Sequence, residues 1–292
     1  CMEAKLIDLD EWEAFGAGGI GQSYFNRTDD SVILKLNSPA WDKEKSEVEV
    51  LYSVEVQKLG LPTPTIYEFV TDGQRYGHID QRIKGKKSLA RLLADDPSRI
   101  DEMARVMAEM SRTMHTTPCN TDVFEDKVSK YTEGIDMIPC SDEIKEKLRS
   151  YMSKMDHSKT CIHGDLQVGN LITADGKYYW IDLGAFGYGD PAMDLGNMYL
   201  LLYIMPPQLT KSLFHMEHKD MDRFYRLFLK YYFNGEPSRE DMEKIRCSAY
   251  VKAGMVLYKF PKIGKLFLPL LEGKMLKFKI IRFLASFAKL EL

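Results

Sequence analysis

Two segments of the sequence restrict its fold more than any other part: residues 163–170 and residues 178–184. The first reads His-Gly-Asp-Leu-Gln-Val-Gly-Asn, and the second is an apolar run that ends in Ile-Asp-Leu-Gly. Together they place two carboxylates and one amide, those of Asp165, Asp182 and Asn170, around a short loop between apolar strands. Carboxylate and amide oxygens are ligands that suit Mg²⁺. The pattern therefore indicates a site that holds Mg²⁺ on a nucleotide phosphate while a hydroxyl group is deprotonated.

Phosphoryl transfer needs a carboxylate near the attacking hydroxyl, oxygen ligands for a metal ion, and cations on the phosphates. We interpret Asp165 as the base, and Asn170 and Asp182 as the metal ligands. In the alternative interpretation, Asp165 and Asn170 cap a loop and Asp182 forms a turn at a strand end. His163 is a second candidate base, because the unperturbed pKa of histidine lies near neutrality.

The spacing H-x-D-x-x-x-x-N, with I-D-x-G twelve residues beyond, resembles the aminoglycoside phosphotransferase and choline kinase superfamily, distant relatives of protein kinases. The segment 189–197 is similar to the G-D-P-x-x-D-L segment of that superfamily, and Gly164 stands where protein kinases usually carry arginine. The resemblance implies an α+β, bilobal protein kinase-like fold with a small β-rich N-lobe and a larger, mostly α-helical C-lobe. It also implies that Asp194 holds the loop around Asp165 by hydrogen bonds, and that His163 buttresses this loop.

A glycine-rich stretch, residues 16–21, precedes a strand that carries a lysine. Four glycines in six residues let the backbone approach an anionic group and direct N–H donors toward it. A glycine-rich hairpin followed by a strand with a lysine is the arrangement by which kinases cover and grip nucleotide phosphates. We therefore predict that the nucleotide is bound by Gly18, Gly19, Gly21 and Lys35.

The alternation of residues 32–36 directs Lys35 onto a partly apolar face. A buried ammonium group needs a carboxylate partner, and the helix expected next in the chain offers several glutamates. The resemblance favours Glu49, because the paired glutamate of the superfamily falls about thirteen residues before the proline of a segment like 60–64. Glu47 remains a rival. If the lysine instead extends along the surface, these glutamates form a solvated helix face.

The charged, glycine-containing segment 84–87 follows a predicted hairpin, and we interpret it as the linker between the lobes. Residues 1–83 then form the nucleotide-binding lobe, and residues 84–292 form the helical lobe with the catalytic loop and the acceptor site. In the resembled family, backbone groups of this passage contact the nucleotide base, and the matching positions run from Gln81 to Ile83. Backbone contacts do not reveal the base, so ATP and GTP both remain candidates.

The composition restricts the classes of molecule that we expect the protein to bind. A formal net charge of −3 argues against a dedicated nucleic-acid binder, so we expect a small-molecule hydroxyl acceptor and no nucleic acid. The longest uncharged apolar run, residues 198–205, is shorter than the roughly 18 to 20 residues of a membrane span, and no leader pattern opens the chain. The five cysteines include no C-x-x-C pair and predict neither a disulfide framework nor a zinc site. We expect a cytoplasmic protein.

The C-terminal part of the chain is basic, with nine Lys and Arg residues against two Glu between Lys252 and Leu292. This segment is interpreted either as the solvated face of an amphipathic terminal helix or as a site for an anionic acceptor or an anionic surface. If it lined the acceptor pocket, it would disfavour a polycationic aminoglycoside.

The sequence thus predicts a Mg²⁺-dependent kinase that moves the γ-phosphoryl group of ATP or GTP to a hydroxyl group of a small molecule, such as an aminoglycoside, an amino alcohol or a sugar. A protein kinase is the first alternative, disfavoured by Gly164 and by the absence of an A-P-E segment after Asp182. A nucleotide-binding pseudokinase is the second. The complete set of Lys35, Asp165, Asn170 and Asp182 argues against it.

Overall fold

The computed structural model describes residues 2–17, 21–138, 141–205 and 207–263. The predicted nucleotide-binding residues Gly18 and Gly19, and most of the basic C-terminal segment, lie outside the described residues. The chain divides into two compact units. The first comprises the chain up to Ser88 together with Asn170–Ala185, and the second comprises Leu89–Gly169 and the chain from Phe186 onward.

The strands of the described chain form three sheets. Their bounds are β1 (Lys5–Leu6), β2 (Trp12–Ala17), β3 (Gly21–Asn26), β4 (Val32–Asn37), β5 (Ile66–Thr71), β6 (Tyr76–Gln81), β7 (Lys87–Ser88), β8 (Cys161–Ile162), β9 (Leu171–Ala174), β10 (Lys177–Trp180) and β11 (Gly187–Tyr188). The first unit contains a six-stranded sheet of order β1-β5-β6-β4-β3-β2 and a three-stranded sheet of order β10-β9-β7. The second contains the pair β11-β8.

The helices follow one another mainly in the second unit. Their bounds are α1 (Lys43–Lys58), α2 (Leu89–Asp95), α3 (Ile100–Thr116), α4 (Lys127–Gly134), α5 (Asp142–Met152), α6 (Ala192–Tyr199), α7 (Pro207–Phe214), α8 (His218–Tyr232) and α9 (Arg239–Ile263). Only α1 of this set belongs to the first unit. In the part of the chain that the structure describes, no helix combines the length and the apolar character needed to cross a membrane.

The division between the units differs from the predicted boundary at residues 83 and 84. Strand β7 pairs with β9, with Lys87 opposite Thr173 and Ser88 opposite Ile172. This pairing ties the segment 170–185 to the N-terminal part of the chain, whereas the sequence analysis assigned it to the C-terminal lobe. The difference arises because a two-residue strand is too short to leave an alternation pattern in the sequence.

The six-stranded sheet presents two different faces. On one face the buried side chains of Trp12, Leu34, Leu36 and Val70 form a hydrophobic cluster. Because side chains alternate along a strand, the intervening residues of β4 point to the opposite face. There Asn37 Nδ2 donates a hydrogen bond of 3.0 Å to Ser46 Oγ of α1, so α1 lies over this second face.

In the second unit, α6 packs closely along α9. A Cβ atom at Gly196 would lie 2.0 Å from Ser248 Oγ and 2.7 Å from the carbonyl oxygen of Ile245, so only glycine permits this approach. Lys252 lies one helical turn beyond Ser248 on α9. The close packing therefore fixes where Lys252 stands relative to α6.

Candidate active site

Lys35 lies in β4 on the face of the large sheet that α1 covers. Its side chain is 39% exposed, and its Nζ lies 2.7 Å from Asp80 Oδ2 of β6. In the antiparallel register Lys35 stands opposite His78, so Asp80 reaches it diagonally. Asp80 Oδ1 also lies 3.2 Å from His78 Nε2. A buried carboxylate is thus held between a lysine and a buried histidine.

Neighbouring charges keep both members of this pair ionised. Burial alone would lower the pKa of Lys35, but the ion pair with Asp80 and the charges of Glu49 and Asp182 outweigh it and raise the pKa. Burial alone would raise the pKa of Asp80, but the charges of His78 and Lys35 and their hydrogen bonds lower it. One ammonium group therefore stands within electrostatic reach of three carboxylates.

The carboxylate in direct contact with the lysine is Asp80, which corrects the predicted pairing with Glu49. Among the described residues no ion pair joins Glu49 to the lysine; Glu49 Oε2 instead accepts a hydrogen bond of 3.3 Å from Asn37 Nδ2. The rival Glu47 accepts a hydrogen bond from the backbone N–H of Met2. A carboxylate partner for Lys35 was expected only on the following helix. The alternation of β6 could have identified Asp80 as a candidate.

The close packing of strands in the sheet explains why residue 21 is a glycine. It stands opposite Asn37 in the pairing of β3 with β4, and a Cβ atom there would lie 2.2 Å from the carbonyl oxygen of Leu36. On the other side of β4, a Cβ atom at Gly77 would lie 1.9 Å from the carbonyl oxygen of Lys35. Both neighbours of β4 therefore approach its backbone closely over residues 35–37. Contact of Gly21 with a nucleotide stays a prediction.

Gln81 and Ile83 end the passage predicted to contact the nucleotide base. The N–H of Gln81 donates to the carbonyl oxygen of Thr65 at 2.7 Å, and its Oε1 accepts from the N–H of Thr65 at 3.3 Å. Gln81 is therefore engaged in the sheet. Ile83 lies beyond β6, and its backbone makes no hydrogen bond to another described residue.

Asn170 and Asp182 flank the hairpin formed by β9 and β10. The N–H of Ile181 donates to the carbonyl oxygen of Asn170 at 3.0 Å, which brings the two ends of the hairpin together. Asp182 has a φ of 61°, in the left-handed region, so its backbone departs from the strand. One amide and one carboxylate at adjacent ends form a ligand set that fits Mg²⁺, an ion that takes few protein ligands besides water and phosphate oxygens.

Asp194 anchors the loop that carries Asp165. Its fully buried carboxylate accepts the backbone N–H of His163 at 2.6 Å and of Gly164 at 2.8 Å. His115 Nε2 lies 3.0 Å from the same carboxylate. Burial alone would raise the pKa of Asp194, but the hydrogen bond and charge of His115, together with His163, lower it. An ionised Asp194 thus holds the loop, in the way that the resemblance implied.

The carboxylate of Asp165 is 37% exposed, and its orientation is fixed by neighbours. Its Oδ1 accepts a hydrogen bond of 3.0 Å from Asn197 Nδ2, which also donates to the carbonyl oxygen of Leu166 at 3.0 Å. The backbone N–H of Asp165 donates to His163 Nδ1 at 3.3 Å. Because the ring of His163 is fully buried and receives this N–H, His163 supports the loop.

Lys252 of α9 is a neighbour of this loop that the sequence analysis missed. Its Nζ donates to the carbonyl oxygen of Gly164 at 2.7 Å and lies 3.7 Å from Asp165 Oδ1, and its side chain is 18% exposed. Burial alone would lower the pKa of Lys252, but Tyr131, Asp165 and Asp194 outweigh this effect and raise it. The sequence shows Lys252 only as one cation of a basic segment, because no local pattern reveals that α9 returns to the loop.

Comparison with known proteins extends over most of the chain. Residues 11–242 match the family described as "Phosphotransferase enzyme family". An aminoglycoside 3'-phosphotransferase of Escherichia coli is 26% identical over 194 residues, which cover 59% of this chain and 71% of that protein. A probable bifunctional tRNA threonylcarbamoyladenosine biosynthesis protein of Methanosarcina barkeri is 29% identical over 125 residues, 42% of this chain. The chain spans about a fifth (21%) of the length of that archaeal relative.

Among solved structures, the amicoumacin kinase hAmiN, in complex with AMP-PNP, Ca²⁺ and Ami, superposes with a TM-score of 0.63 at 14% identity. The superposition covers 97% of this chain and 90% of the kinase. This likeness confirms the predicted α+β, kinase-like fold with a sheet-rich N-terminal part. The matches also confirm the resemblance to aminoglycoside phosphotransferases.

Proposed function

The chain belongs to the phosphotransferase enzyme family, and on this premise we propose that it transfers the γ-phosphoryl group of ATP to a hydroxyl group of a small molecule. The observation that carries the proposal is the setting of Asp165. Asp194 and Asn197 hold its loop through hydrogen bonds, while its own carboxylate is partly exposed. A fixed, solvent-accessible carboxylate is what deprotonation of an acceptor hydroxyl requires.

In this proposal Asp165 accepts the proton of the hydroxyl group as that group attacks the γ-phosphorus, and the bond from this phosphorus to the bridging oxygen breaks so that ADP leaves. Asn197 fixes the rotation of the carboxylate, so that it is in place before the acceptor binds. Positioning of this kind supplies much of the rate of phosphoryl transfer, because the reaction needs little covalent help from the protein.

The nucleotide is bound by the first unit. Lys35 contacts phosphate oxygens, with the charge of Glu49 nearby, and Asn170 and Asp182 hold Mg²⁺, which when bound neutralises charge on the phosphates. From the glycine-rich pattern we assign the phosphates to Gly18, Gly19 and Gly21 as well. From the resemblance we assign the nucleotide base to backbone groups of the passage from Gln81 to Ile83. ATP is favoured over GTP because the similar amicoumacin kinase was solved with AMP-PNP. The cytoplasmic location stays a prediction.

The proposal is tested by nucleotide consumption with a panel of hydroxyl metabolites and with water alone. Asp165→Asn is expected to lower kcat by at least about 10² while the KM for ATP stays within about twofold, because the base acts after the nucleotide is bound. Asp122→Asn, at a fully exposed position of the second unit, is the matched control and should keep full activity. Equal kcat of Asp165→Asn and the unmodified protein would refute the base assignment. Absence of any Mg²⁺-dependent ATP consumption would refute the activity.

A further inference from the structure

The peptide groups on both sides of Gly164, the residue before the proposed base, are held by ionised side chains. Asp194 Oδ1 accepts the N–H of Gly164 at 2.8 Å, and Lys252 Nζ donates to its carbonyl oxygen at 2.7 Å. Gly164 has a φ of 78°, a conformation that residues with a side chain rarely adopt. The orientation of Asp165 therefore depends on the anionic Asp194 at the N–H of Gly164 and on the cationic Lys252 at its carbonyl oxygen.

The same ammonium group compensates the charge of the base. Lys252 Nζ lies 3.7 Å from Asp165 Oδ1 in a partly buried setting, where opposite charges interact more strongly than in water. Other titratable groups also face this region from the elements packed around it. They are Tyr131 of α4, Asp194 of α6, His115 of α3 and His163 of the loop itself.

Lys252 stands outside the part of the chain that the family match covers, which ends at residue 242. Its placement follows from the glycine-permitted packing of α6 along α9 and not from a motif of the catalytic loop. The lysine is therefore a feature of this chain that the match does not account for.

A carboxylate base with no nearby cation attracts a positively charged acceptor. Here the attraction is offset, because Lys252 brings a fixed positive charge to within ion-pair distance of the carboxylate. An acceptor with an ammonium group next to its reacting hydroxyl would meet this lysine at close range. A neutral or anionic acceptor would not be repelled.

We propose that Lys252 is a positioning residue for Asp165 and that its charge selects neutral or anionic hydroxyl compounds over cationic ones as acceptors. This inference rests on the proposed function and names the substrate class of the same site. Like-charge juxtaposition is a common means of rejecting a wrong partner.

The positioning role is tested on Mg²⁺-dependent ATP hydrolysis with water as the acceptor. Lys252→Met should lower kcat about tenfold while the KM for ATP stays within about twofold, because Asp165 then loses the contact that orients it after the nucleotide has bound. Lys252→Arg should restore most of kcat. Lys244→Met is the matched control on the same helix, since Lys244 contacts Asp190 at 3.4 Å and not the loop. It should leave kcat and KM unchanged.

A second variant covers the case in which Lys252→Met does not fold. Tyr131→Phe removes the hydroxyl group that interacts with Lys252 but keeps the buried ring, and it should lower kcat by a smaller factor at an unchanged KM for ATP. An unchanged kcat in the folded variants overturns the inference. A wild-type protein that hydrolyses no ATP contradicts the proposed function itself, so the two failures are distinguishable.

The acceptor preference is tested with a pair of probes of equal shape. Choline and 3,3-dimethylbutan-1-ol differ in the positive charge of one atom, and each is compared by its stimulation of ATP consumption. The neutral alcohol should stimulate more than choline, and Lys252→Met should reduce the ratio at least about threefold, as expected when a like charge is removed. Equal or greater stimulation by choline in the wild type overturns the preference.

Discussion

Lys35 Nζ and Asp80 Oδ2 lie 2.7 Å apart on the neighbouring antiparallel strands β4 and β6. Asp80 is almost fully buried, whereas the lysine side chain is 39% exposed. The pair thus consists of a carboxylate that depends on its cation and a cation that also reaches solvent. This asymmetry predicts different costs for removing the two charges.

Lys35→Met should lower the free energy of unfolding by about 2 kcal/mol, less than the 3–5 kcal/mol of a fully buried pair, because it leaves Asp80 buried without its ammonium group. The double variant Lys35→Met/Asp80→Asn should recover about half of this loss, since no uncompensated charge remains. Urea unfolding at pH 7 measures both. Lys45→Met breaks the exposed ion pair with Asp42 and should cost less than about 0.5 kcal/mol. A double variant no more stable than Lys35→Met would contradict the argument.

The lowered pKa values of Asp80 and Asp194 predict loss of stability in acid. A carboxyl group whose pKa is lower in the folded than in the unfolded chain stabilises the fold at pH values above the unfolded pKa, near 3.9. That contribution disappears as the pH falls through the folded pKa. Asp194→Asn should therefore be destabilised most at neutral pH. The difference in stability between this variant and the wild type should become smaller toward pH 3.

Thermal unfolding between pH 3 and 7 measures this difference. The exposed Asp142, in the first turn of α5, supplies the control variant Asp142→Asn, whose curve should run parallel to that of the wild type. A deficit of Asp194→Asn that is constant over the whole range would show that its carboxylate charge is not what stabilises the loop.

Local patterns predicted the elements around the site. The alternation of residues 32–36 matches β4, and the turn residues between 65 and 82 match the hairpin of β5 and β6. The helix expected after β4 begins at Lys43, because Asp42 caps it by accepting the N–H of Lys45. Residues 5–12 do not form one continuous strand, because a 3₁₀ turn at Leu9–Glu11 separates β1 from β2, and Asp8 accepts the N–H of Asp10 there.

Long-range pairings could not be predicted from these patterns. Asp80 and Lys252 lie on elements whose positions near the site depend on how the sheet and the helices pack. The role of Asp194 was anticipated only through the resemblance, since the spacing alone does not show which amides its carboxylate receives. In each case the missing information is the tertiary packing that joins segments distant in the chain.

Gly21→Ala should destabilise the first unit because the added Cβ would lie 2.2 Å from a backbone oxygen, which cannot move aside as a side chain could. We expect a cost of about 1–3 kcal/mol, typical of forced overpacking. Gly16→Ala, in the adjacent strand β2, is the control, because a Cβ there meets nothing within 4 Å. Urea unfolding distinguishes the two variants. Equal stability would show that the strands can separate locally without cost.

Asp182→Asn should raise the Mg²⁺ concentration needed for half-maximal activity by at least about tenfold, since a neutral amide binds a hard cation more weakly than a carboxylate does. The fold should be unaffected, because asparagine tolerates the left-handed backbone that Asp182 adopts. Titration of ATP consumption with MgCl₂ measures the change, and excess EDTA should abolish activity in both proteins.

Asp175→Asn is the matched control for this comparison. Asp175 lies in the exposed turn between β9 and β10, in the same unit, and has a similar left-handed backbone with a φ of 49°. If the two variants require the same Mg²⁺ concentration, Asp182 is not a metal ligand, and its charge acts only on the lysine of β4. If only Asp182→Asn changes the required Mg²⁺ concentration, the change is due to loss of its carboxylate and not to the turn conformation that both residues share.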